Sequence, residues 1–200
     1  MVVKEHYWYF EEVVPKQTCD HIIKFGEEQK KELGKIGAKN SNESRLEESY
    51  RNSEICWLDE SWIFNETIIY TNKANQMAKW NYDVVIPEKC QFTKYKLNQK
   101  YNWHQDGFAE PYNYPDGSLH NMTRKLSTIV SLSDSTEYEG GELEFAWYNN
   151  KGETHVQQCD AMLKKGSVVV FPSFVWHRVK PITSGTRYSL VLWSCGPQWR

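Results

Sequence analysis

The sequence predicts a mainly β protein with helices (α+β), built as a double-stranded β-helix, or jelly roll, buttressed by N-terminal helices. Two observations support this prediction. From about Cys90 onward, short apolar runs alternate with polar residues at the period of two typical of strands. Before that point, two stretches place apolar residues at near-helical spacing. The 200 residues suit a single domain, with helical support expected over about residues 1–89 and a β core over about residues 90–195.

The N-terminal part contains the two predicted helices. Residues 7–14 are aromatic and β-prone, so we expect a first strand that Pro15 ends. Residues 16–33 have the spacing of an amphipathic helix packed on a sheet. A second helix is expected from Asp59 or Ser61 through residues 77–78. Its apolar face is expected to comprise Ile63, Tyr70, Ala74 and Met77.

Strands dominate the rest of the predicted structure. The polar run at residues 40–44 predicts a loop, and a strand is expected near Cys56. The Asn-Asn-Lys-Gly run at residues 149–152 is typical of a hairpin turn. The other predicted strands cover residues 84–86, 91–97, 101–106, 125–132, 142–147, 154–158, 168–171, 176–179 and 187–193.

Composition excludes several classes of function. Acidic and basic residues are interspersed and the net charge is −2, so nucleic acid is not expected as a partner. No window reaches the ~18 apolar residues of a membrane span, and Lys4, Glu5 and His6 precede any apolar run, unlike a signal peptide. The five cysteines are odd in number and lack a Cys-x-x-Cys pair, which predicts reduced thiols in a cytoplasmic protein.

The run Tyr-Asn-Trp-His-Gln-Asp-Gly at residues 101–107 carries the main chemical signal. If it is a strand, His104 and Asp106 project to the same face. A third candidate ligand, His177, follows 73 positions later, after the apolar run at residues 168–171. Two histidines and one carboxylate that leave other positions open are typical of non-haem Fe(II) sites. By itself, a His-x-Asp tripeptide is more often a surface loop or part of an ordinary strand.

An arginine in an apolar strand gives a second signal. Arg187 opens the run at residues 187–193, where an inward guanidinium is costly unless it meets an anion. Its planar fork suits a carboxylate. Ser189, two residues after Arg187, shares its strand face, and so does Trp193, four residues after Ser189. We expect Arg187 to be the only full positive charge in a deep pocket.

Together these residues resemble the signature of the Fe(II)/2-oxoglutarate-dependent dioxygenases, in particular the prolyl 4-hydroxylase-like branch. The similarity runs from about Cys90 to Trp193 in family order and includes residues 124–127, 138–145, 166–172 and 177–181. Two features depart from the pattern. Collagen-type enzymes usually carry Lys where this chain has Arg187. The 17 residues between Asp106 and Arg124 are particular to this chain, and substrate choice would be set there.

The resemblance implies a role for each candidate residue. His104, Asp106 and His177 would hold Fe(II), with O2 at a remaining position, and Arg187 would pair with the far carboxylate of the co-substrate 2-oxoglutarate. Ascorbate is a further candidate cofactor. The other 2-oxoglutarate candidates are Tyr95, Ser189, Thr128 and Trp193, and the substrate candidates are Arg124, Tyr112 and Tyr114. Tyr95, Ser189 and Thr128 can equally be read as core residues, and Arg124 as a solvated one.

The resemblance therefore implies an oxidoreductase that hydroxylates an unactivated C–H bond and releases succinate and CO2. A prolyl residue in a peptide or protein is the favoured substrate, and the loop after Asp106, with Phe108, Tyr112 and Tyr114, is expected to close over it. Two alternatives stay open: a small-molecule hydroxylase of the same family, and a non-catalytic jelly roll that binds zinc through its histidines. A monomer and a homodimer are equally compatible with the sequence.

Overall fold

A computed structural model describes residues 4–38, 41–107, 110–149 and 151–199. Its helices are α1 (Lys16–Glu28) and α2 (Ser61–Met77). Its strands are β1 (Trp8–Phe10), β2 (Glu32–Leu33), β3 (Ile36–Ala38), β4 (Ser41–Arg45), β5 (Glu54–Leu58), β6 (Ile86–Pro87), β7 (Cys90–Tyr95), β8 (Tyr101–His104), β9 (Met122–Ser131), β10 (Tyr138–Gly140), β11 (Leu143–Tyr148), β12 (Thr154–Gln158), β13 (Val168–Pro172), β14 (Trp176–Val179), β15 (Ile182–Gly185) and β16 (Arg187–Pro197).

Two antiparallel sheets form the body of the molecule. The major sheet has the order β1-β13-β9-β16-β7-β5-β2, with β6 added to β16. The minor sheet has the order β12-β11-β14-β8. One buried cluster joins Ile129 and Phe171 of the major sheet to Phe145 and Val179 of the minor sheet. The predicted jelly roll with supporting helices is therefore confirmed.

Side-chain alternation gives the major sheet two different faces. On β9, Leu126 and Val130 belong to the cluster that contains residues of both helices, whereas Ile129 belongs to the cluster between the sheets. Strand β13 divides in the same way, with Val170 toward the helices and Phe171 toward the minor sheet. Both faces of these central strands are thus buried, and the polar residues among them are held inside the fold.

The first 89 residues are more than helical support. They supply β1, β2, β5 and β6 to the major sheet. Helix α1 ends at Glu28, five residues before the predicted end, and β2 follows it and pairs with β5. The predicted loop at residues 40–44 is also wrong in part, because β3 and β4 pair as a hairpin. Asn40 itself lies outside the described residues.

The buried face of α2 differs from the predicted one. Its buried residues include Thr67 and Thr71 beside Ile63 and Ala74, whereas Met77 is 53% exposed. The Thr71 hydroxyl lies 2.6 Å from that of Thr128 on β9, so the helix approaches the sheet through small side chains that hydrogen-bond. None of the helices in the described part of the chain has both the length and the apolar surface that crossing a bilayer requires.

The packing of helix α1 on the major sheet can be tested at Gly26. A methyl group at Gly26 would lie 2.7 Å from ring atoms of Phe92, which is fully buried. We expect Gly26→Ala to lower the free energy of unfolding by about 1–3 kcal/mol, because overpacking outweighs the gain in helix propensity. Urea unfolding checks this, with the exposed Lys24→Ala in the same helix as the matched control. An unchanged or raised stability in Gly26→Ala would contradict the packing.

Candidate metal centre and adjoining cavity

His104, Asp106 and His177 meet at one buried point. His104 and His177 face each other across the antiparallel pair β8 and β14. The Nε2 atoms of His104 and His177 lie 3.6 and 3.5 Å from the two carboxylate oxygens of Asp106. One ligand atom from each residue falls within 4.8 Å of the others. The sequence therefore identified the three members of a compact donor cluster.

The reasoning that brought Asp106 to this cluster needs a correction. Strand β8 ends at His104, so Asp106 does not reach the cluster through strand alternation. Its backbone N–H instead donates to the Ser173 carbonyl at 2.9 Å, and the N–H of Gly107 donates to the same oxygen at 2.8 Å. The turn between β13 and β14 thus holds Asp106 beside the strand that carries His177.

Both imidazoles are oriented for metal binding by the backbone. The Nδ1 atom of His104 lies 2.7 Å from the Asn102 carbonyl, and that of His177 lies 3.0 Å from the Val175 carbonyl. A carbonyl accepts only, so each Nδ1 carries the proton. The Nε2 lone pairs then point toward Asp106, as in metal sites whose histidines donate their second N–H to a backbone oxygen.

The electrostatics keep Asp106 and His104 in metal-binding form. Burial acts to raise the pKa of Asp106, but His177, His104 and Arg124 outweigh it and hold the pKa at about 2. The Ser127 hydroxyl donates to the Asp106 carboxylate at 2.7 Å. Burial lowers the pKa of His104 well below its usual value, and His177 adds to this effect. An ionised carboxylate therefore lies between two imidazoles, of which His104 is neutral at pH 7.

These residues fit a divalent transition metal. The cluster supplies two nitrogens and one carboxylate, the set found in non-haem Fe(II) sites with open positions. All three side chains are buried, and the cavity beside them provides an open side. Phe171 packs against His177 with ring centroids 4.6 Å apart, which fixes the plane of the ring. The geometry suits a metal that must keep positions free for other ligands.

Strand β16 lines the adjoining cavity with Arg187, Ser189, Val191 and Trp193. Arg187 is 1% exposed, and among the described residues no carboxylate lies within ion-pair distance of it. Its nearest polar contact is the Ser189 hydroxyl at 3.5 Å, and its guanidinium carbon lies 5.6 Å from the centre of the Tyr95 ring. A charge buried without a counterion is available to an anionic ligand.

A second guanidinium lines the same cavity, so the expectation that Arg187 is its only positive charge is wrong. Arg51 is 6% exposed and lies on the segment before β5. Its burial depends on long-range pairing with Tyr101. An arginine in a polar stretch has no local pattern that predicts inward burial, so sequence reasoning missed Arg51.

The structure does not bring every other candidate to the cavity. Tyr95 and Trp193 line it. Thr128 lies on the opposite face of β9, where its hydroxyl contacts Thr71 of α2, and the neighbouring Ser127 takes the inward position. Tyr95 lies opposite Arg187 across the pair β7 and β16. Of the candidates for binding 2-oxoglutarate, Thr128 alone points away from the cavity, toward α2.

The substrate candidates do not line the cavity, and two of them, Arg124 and Tyr112, share a hydrogen-bond network beside Trp193. Arg124 binds both oxygens of Glu88 at 2.7 Å, and the Tyr112 hydroxyl donates to the same carboxylate at 2.7 Å. The guanidinium of Arg124 also lies 3.9 Å above the ring of Trp193. Tyr114 is 46% exposed and stacks on Tyr112 at 5.5 Å. The expected contribution of Phe108 lies outside the described residues.

Comparison with protein families gives one match that covers the site. The model of the 2OG-Fe(II) oxygenase superfamily matches residues 90–195. A PKHD-type hydroxylase of Xylella fastidiosa (strain M23) is 34% identical over 103 residues, which are 51% of this chain and 42% of that protein. One from Psychrobacter sp. (strain PRwf-1) is 35% identical over 102 residues, or 51% and 36% of the two chains. The chain spans less than half the length of these curated relatives.

Solved structures share the fold at low sequence identity. A viral collagen prolyl hydroxylase from Paramecium Bursaria Chlorella virus-1, solved as a 2OG complex, has a TM-score of 0.63 and 19% identity over 96% of this chain and 97% of its own. A Pseudomonas putida prolyl-4-hydroxylase gives 0.62 and 18% over 98% and 95%. A Trichoplax adhaerens prolyl hydroxylase with a hypoxia inducible factor peptide fragment gives 0.58 and 18% over 96% and 84%. These likenesses show a common architecture.

The donor cluster can be tested residue by residue. We expect His104→Ala, Asp106→Ala and His177→Ala each to abolish stoichiometric Fe(II) binding under anaerobic conditions, because two remaining ligands hold the metal weakly. Iron retained after desalting is the measurement, and circular dichroism melting checks that each variant folds. His155→Ala, at an exposed histidine, is the matched control. Any one variant that kept full iron binding would remove that residue from the ligand set.

Proposed function

The chain belongs to the 2OG-Fe(II) oxygenase superfamily, and from this premise we propose that it is an Fe(II)- and 2-oxoglutarate-dependent dioxygenase that hydroxylates an unactivated C–H bond. The observation that carries the proposal is the buried cluster of two imidazoles and one carboxylate, which opens on a cavity containing the unpaired Arg187. A dicarboxylate that binds the metal at one end and Arg187 at the other satisfies both features.

Each residue has a defined part in this reaction. His104, Asp106 and His177 hold the metal through Nε2, a carboxylate oxygen and Nε2, with the two Nδ1–H groups fixed by backbone carbonyls. When bound, the metal and 2-oxoglutarate supply oxidation by O2, in which the co-substrate becomes succinate and CO2. Ser127 keeps Asp106 oriented through its 2.7 Å hydrogen bond. The walls of the cavity exclude water from the reacting groups.

Arg187 and its neighbours bind the far end of the co-substrate in this proposal. The guanidinium fork pairs with the carboxylate of 2-oxoglutarate that does not reach the metal. Ser189 lies 3.5 Å from the guanidinium, and the fully buried Tyr95 lies beside it on β7. Trp193 lines the cavity together with Asp106, and its buried indole N–H has no hydrogen-bond partner among the described residues.

The substrate class we propose is a prolyl residue in a peptide or protein. The names of the structural neighbours support this choice. One of these neighbours is described as a prolyl hydroxylase in complex with a peptide fragment. Tyr114, which is 46% exposed and stacks on the buried Tyr112 in the loop after Asp106, offers a ring to an extended peptide. A small-molecule substrate is the alternative within the same chemistry.

The organisation of the protein follows the same proposal. We treat residues 1–200 as one oxygenase domain, with a β core at about residues 90–195 and the earlier residues as its support.

The five cysteines are free and buried, which supports a reducing, cytoplasmic environment. Ascorbate is retained as a candidate reductant for this reaction class, to be tested by its effect on the number of turnovers.

One experiment separates this enzyme from a zinc-binding jelly roll. Anaerobic addition of Fe(II) and then 2-oxoglutarate should produce a visible charge-transfer band at about 500 nm, because an Fe(II) centre with open positions can be chelated by a 2-oxo acid. A structural zinc site keeps no such open positions. Absence of the band in protein shown to hold iron would defeat the proposal.

Arg187 is expected to control co-substrate affinity without affecting the metal. Loss of one member of a desolvated ion pair costs about 3–5 kcal/mol, which is roughly two to four decades in affinity. Arg187→Ala should therefore raise the half-saturating 2-oxoglutarate concentration by roughly a hundredfold or more. Arg187→Lys should fall between, because it keeps the charge but loses the fork. Titration of the iron complex by absorbance measures all three proteins.

The same titration contains its own control. Iron affinity should be nearly unchanged in both variants, because Arg187 does not belong to the donor cluster. If Arg187→Ala bound 2-oxoglutarate as tightly as the parent protein, the far carboxylate would have to be assigned to another cation.

A further inference from the structure

Arg51 is held in the cavity wall by the backbone of the strand that carries His104. It forms a β-bridge with Tyr101. On either side, the Asn102 N–H donates to the Tyr50 carbonyl at 2.9 Å and the Asn52 N–H donates to the Lys100 carbonyl at 3.3 Å. The position of the Arg51 side chain is therefore fixed relative to the donor cluster by hydrogen bonds of the main chain.

The guanidinium of Arg51 is buried among neutral partners. Its Nε donates to the Ser53 hydroxyl at 3.0 Å, Nη1 to the Lys35 carbonyl at 3.0 Å, and Nη2 to the Gln91 side-chain oxygen at 2.6 Å. These bonds use three of its five N–H groups. No carboxylate lies within ion-pair distance of it in the part of the chain that the structure describes. The charge of Arg51 is thus oriented by the protein and left without a counterion.

Arg51 shares the lining of the cavity with the metal ligands and Arg187. Its guanidinium carbon is 4.4 Å from the centre of the Tyr101 ring, and that ring stacks on His104. At the other end, the guanidinium carbon of Arg187 lies 5.6 Å from the centre of the Tyr95 ring, and Tyr95 lines the same cavity. A ligand that fills the cavity between the metal ligands and Arg187 therefore meets a wall that includes Arg51.

The charge of the cavity supports an anion-binding role. Its lining contains two guanidiniums and one carboxylate. With a divalent metal bound, the positive charge exceeds what a dianion neutralises. A buried excess of this kind is costly for folding and favours the binding of anions.

We propose that Arg51 is a second anion-binding residue of this cavity, which positions the dicarboxylate co-substrate together with Arg187. The inference rests on the proposed function, since it concerns the ligand of that same site. A purely structural role would depend only on the contacts of Arg51 with Ser53, Lys35 and Gln91. In the proposed role, the affinity for 2-oxoglutarate depends also on the positive charge of the side chain.

The test measures binding of 2-oxoglutarate and of 2-oxobutyrate, which lacks the second carboxylate, to Mn(II)-loaded protein by calorimetry. Arg51→Gln should weaken 2-oxoglutarate binding about tenfold or more, and Arg51→Lys should fall between it and the parent protein. Mn(II) affinity should stay unchanged in both. Arg51→Met, which keeps an unbranched side chain without the charge, is a second neutral variant. Arg45→Gln, at an exposed arginine paired with Glu47, is the matched control.

The outcomes separate the possibilities. A loss confined to 2-oxoglutarate supports action on the far carboxylate, and an equal loss for both ligands supports action at the chelating end. Wild-type affinity in folded Arg51→Gln or Arg51→Met overturns the inference. An equal loss in Arg51→Lys and the neutral variants, with lowered melting temperatures, shows a structural role and overturns it as well. A parent protein that bound Mn(II) but no 2-oxoglutarate would refute the proposed function itself.

Discussion

The burial of one carboxylate between two imidazoles is the constraint on which the rest of the site depends. Asp106 is anionic in the interior because His104 and His177 face its two oxygens and Ser127 donates to it. The histidines come from the minor sheet and the serine from β9 of the major sheet, so the centre exists only when the sheets close on each other. Backbone carbonyls at Asn102 and Val175 then fix the tautomers. The fold thus assembles a metal site from hydrogen bonds that are already part of its strands and turns.

The space between the two sheets is apolar in one part and polar in another. Around Phe145, Phe171 and Met162 it is an ordinary apolar core. Toward β16 and β7 it is lined by polar side chains and two guanidiniums. Buried charges cost stability unless they are paired, and among the described residues neither guanidinium has a carboxylate within ion-pair distance. The protein therefore carries an electrostatic cost that the proposed dicarboxylate would relieve.

Much of this could be predicted from sequence, and the failures have physical causes. The period-two strands and the inward face of Arg187, Ser189 and Trp193 follow from local alternation. The three donors were identified from their residue types, their spacing and the family resemblance. Asp106 was identified for a partly wrong reason, since a tertiary hydrogen bond to Ser173 replaces the predicted strand. Thr128 was assigned to the site although strand alternation places it toward α2, once Ser127 is known to point inward. Arg51 was missed because its burial depends on pairing with Tyr101, fifty residues away in sequence.

The position of Arg51 bears on how such sites vary between proteins. The metal ligands and Arg187 all lie within residues 90–195, the part that matches the superfamily model. Arg51 lies outside it, in a segment that joins the β3–β4 hairpin to β5. The metal chemistry is therefore specified by one part of the chain, whereas part of the cavity's charge comes from another. On the proposed role of Arg51, substitutions in the earlier segment would retune anion binding and leave the three donor side chains in place, because the Arg51 guanidinium packs on the ring of Tyr101, which in turn stacks on His104.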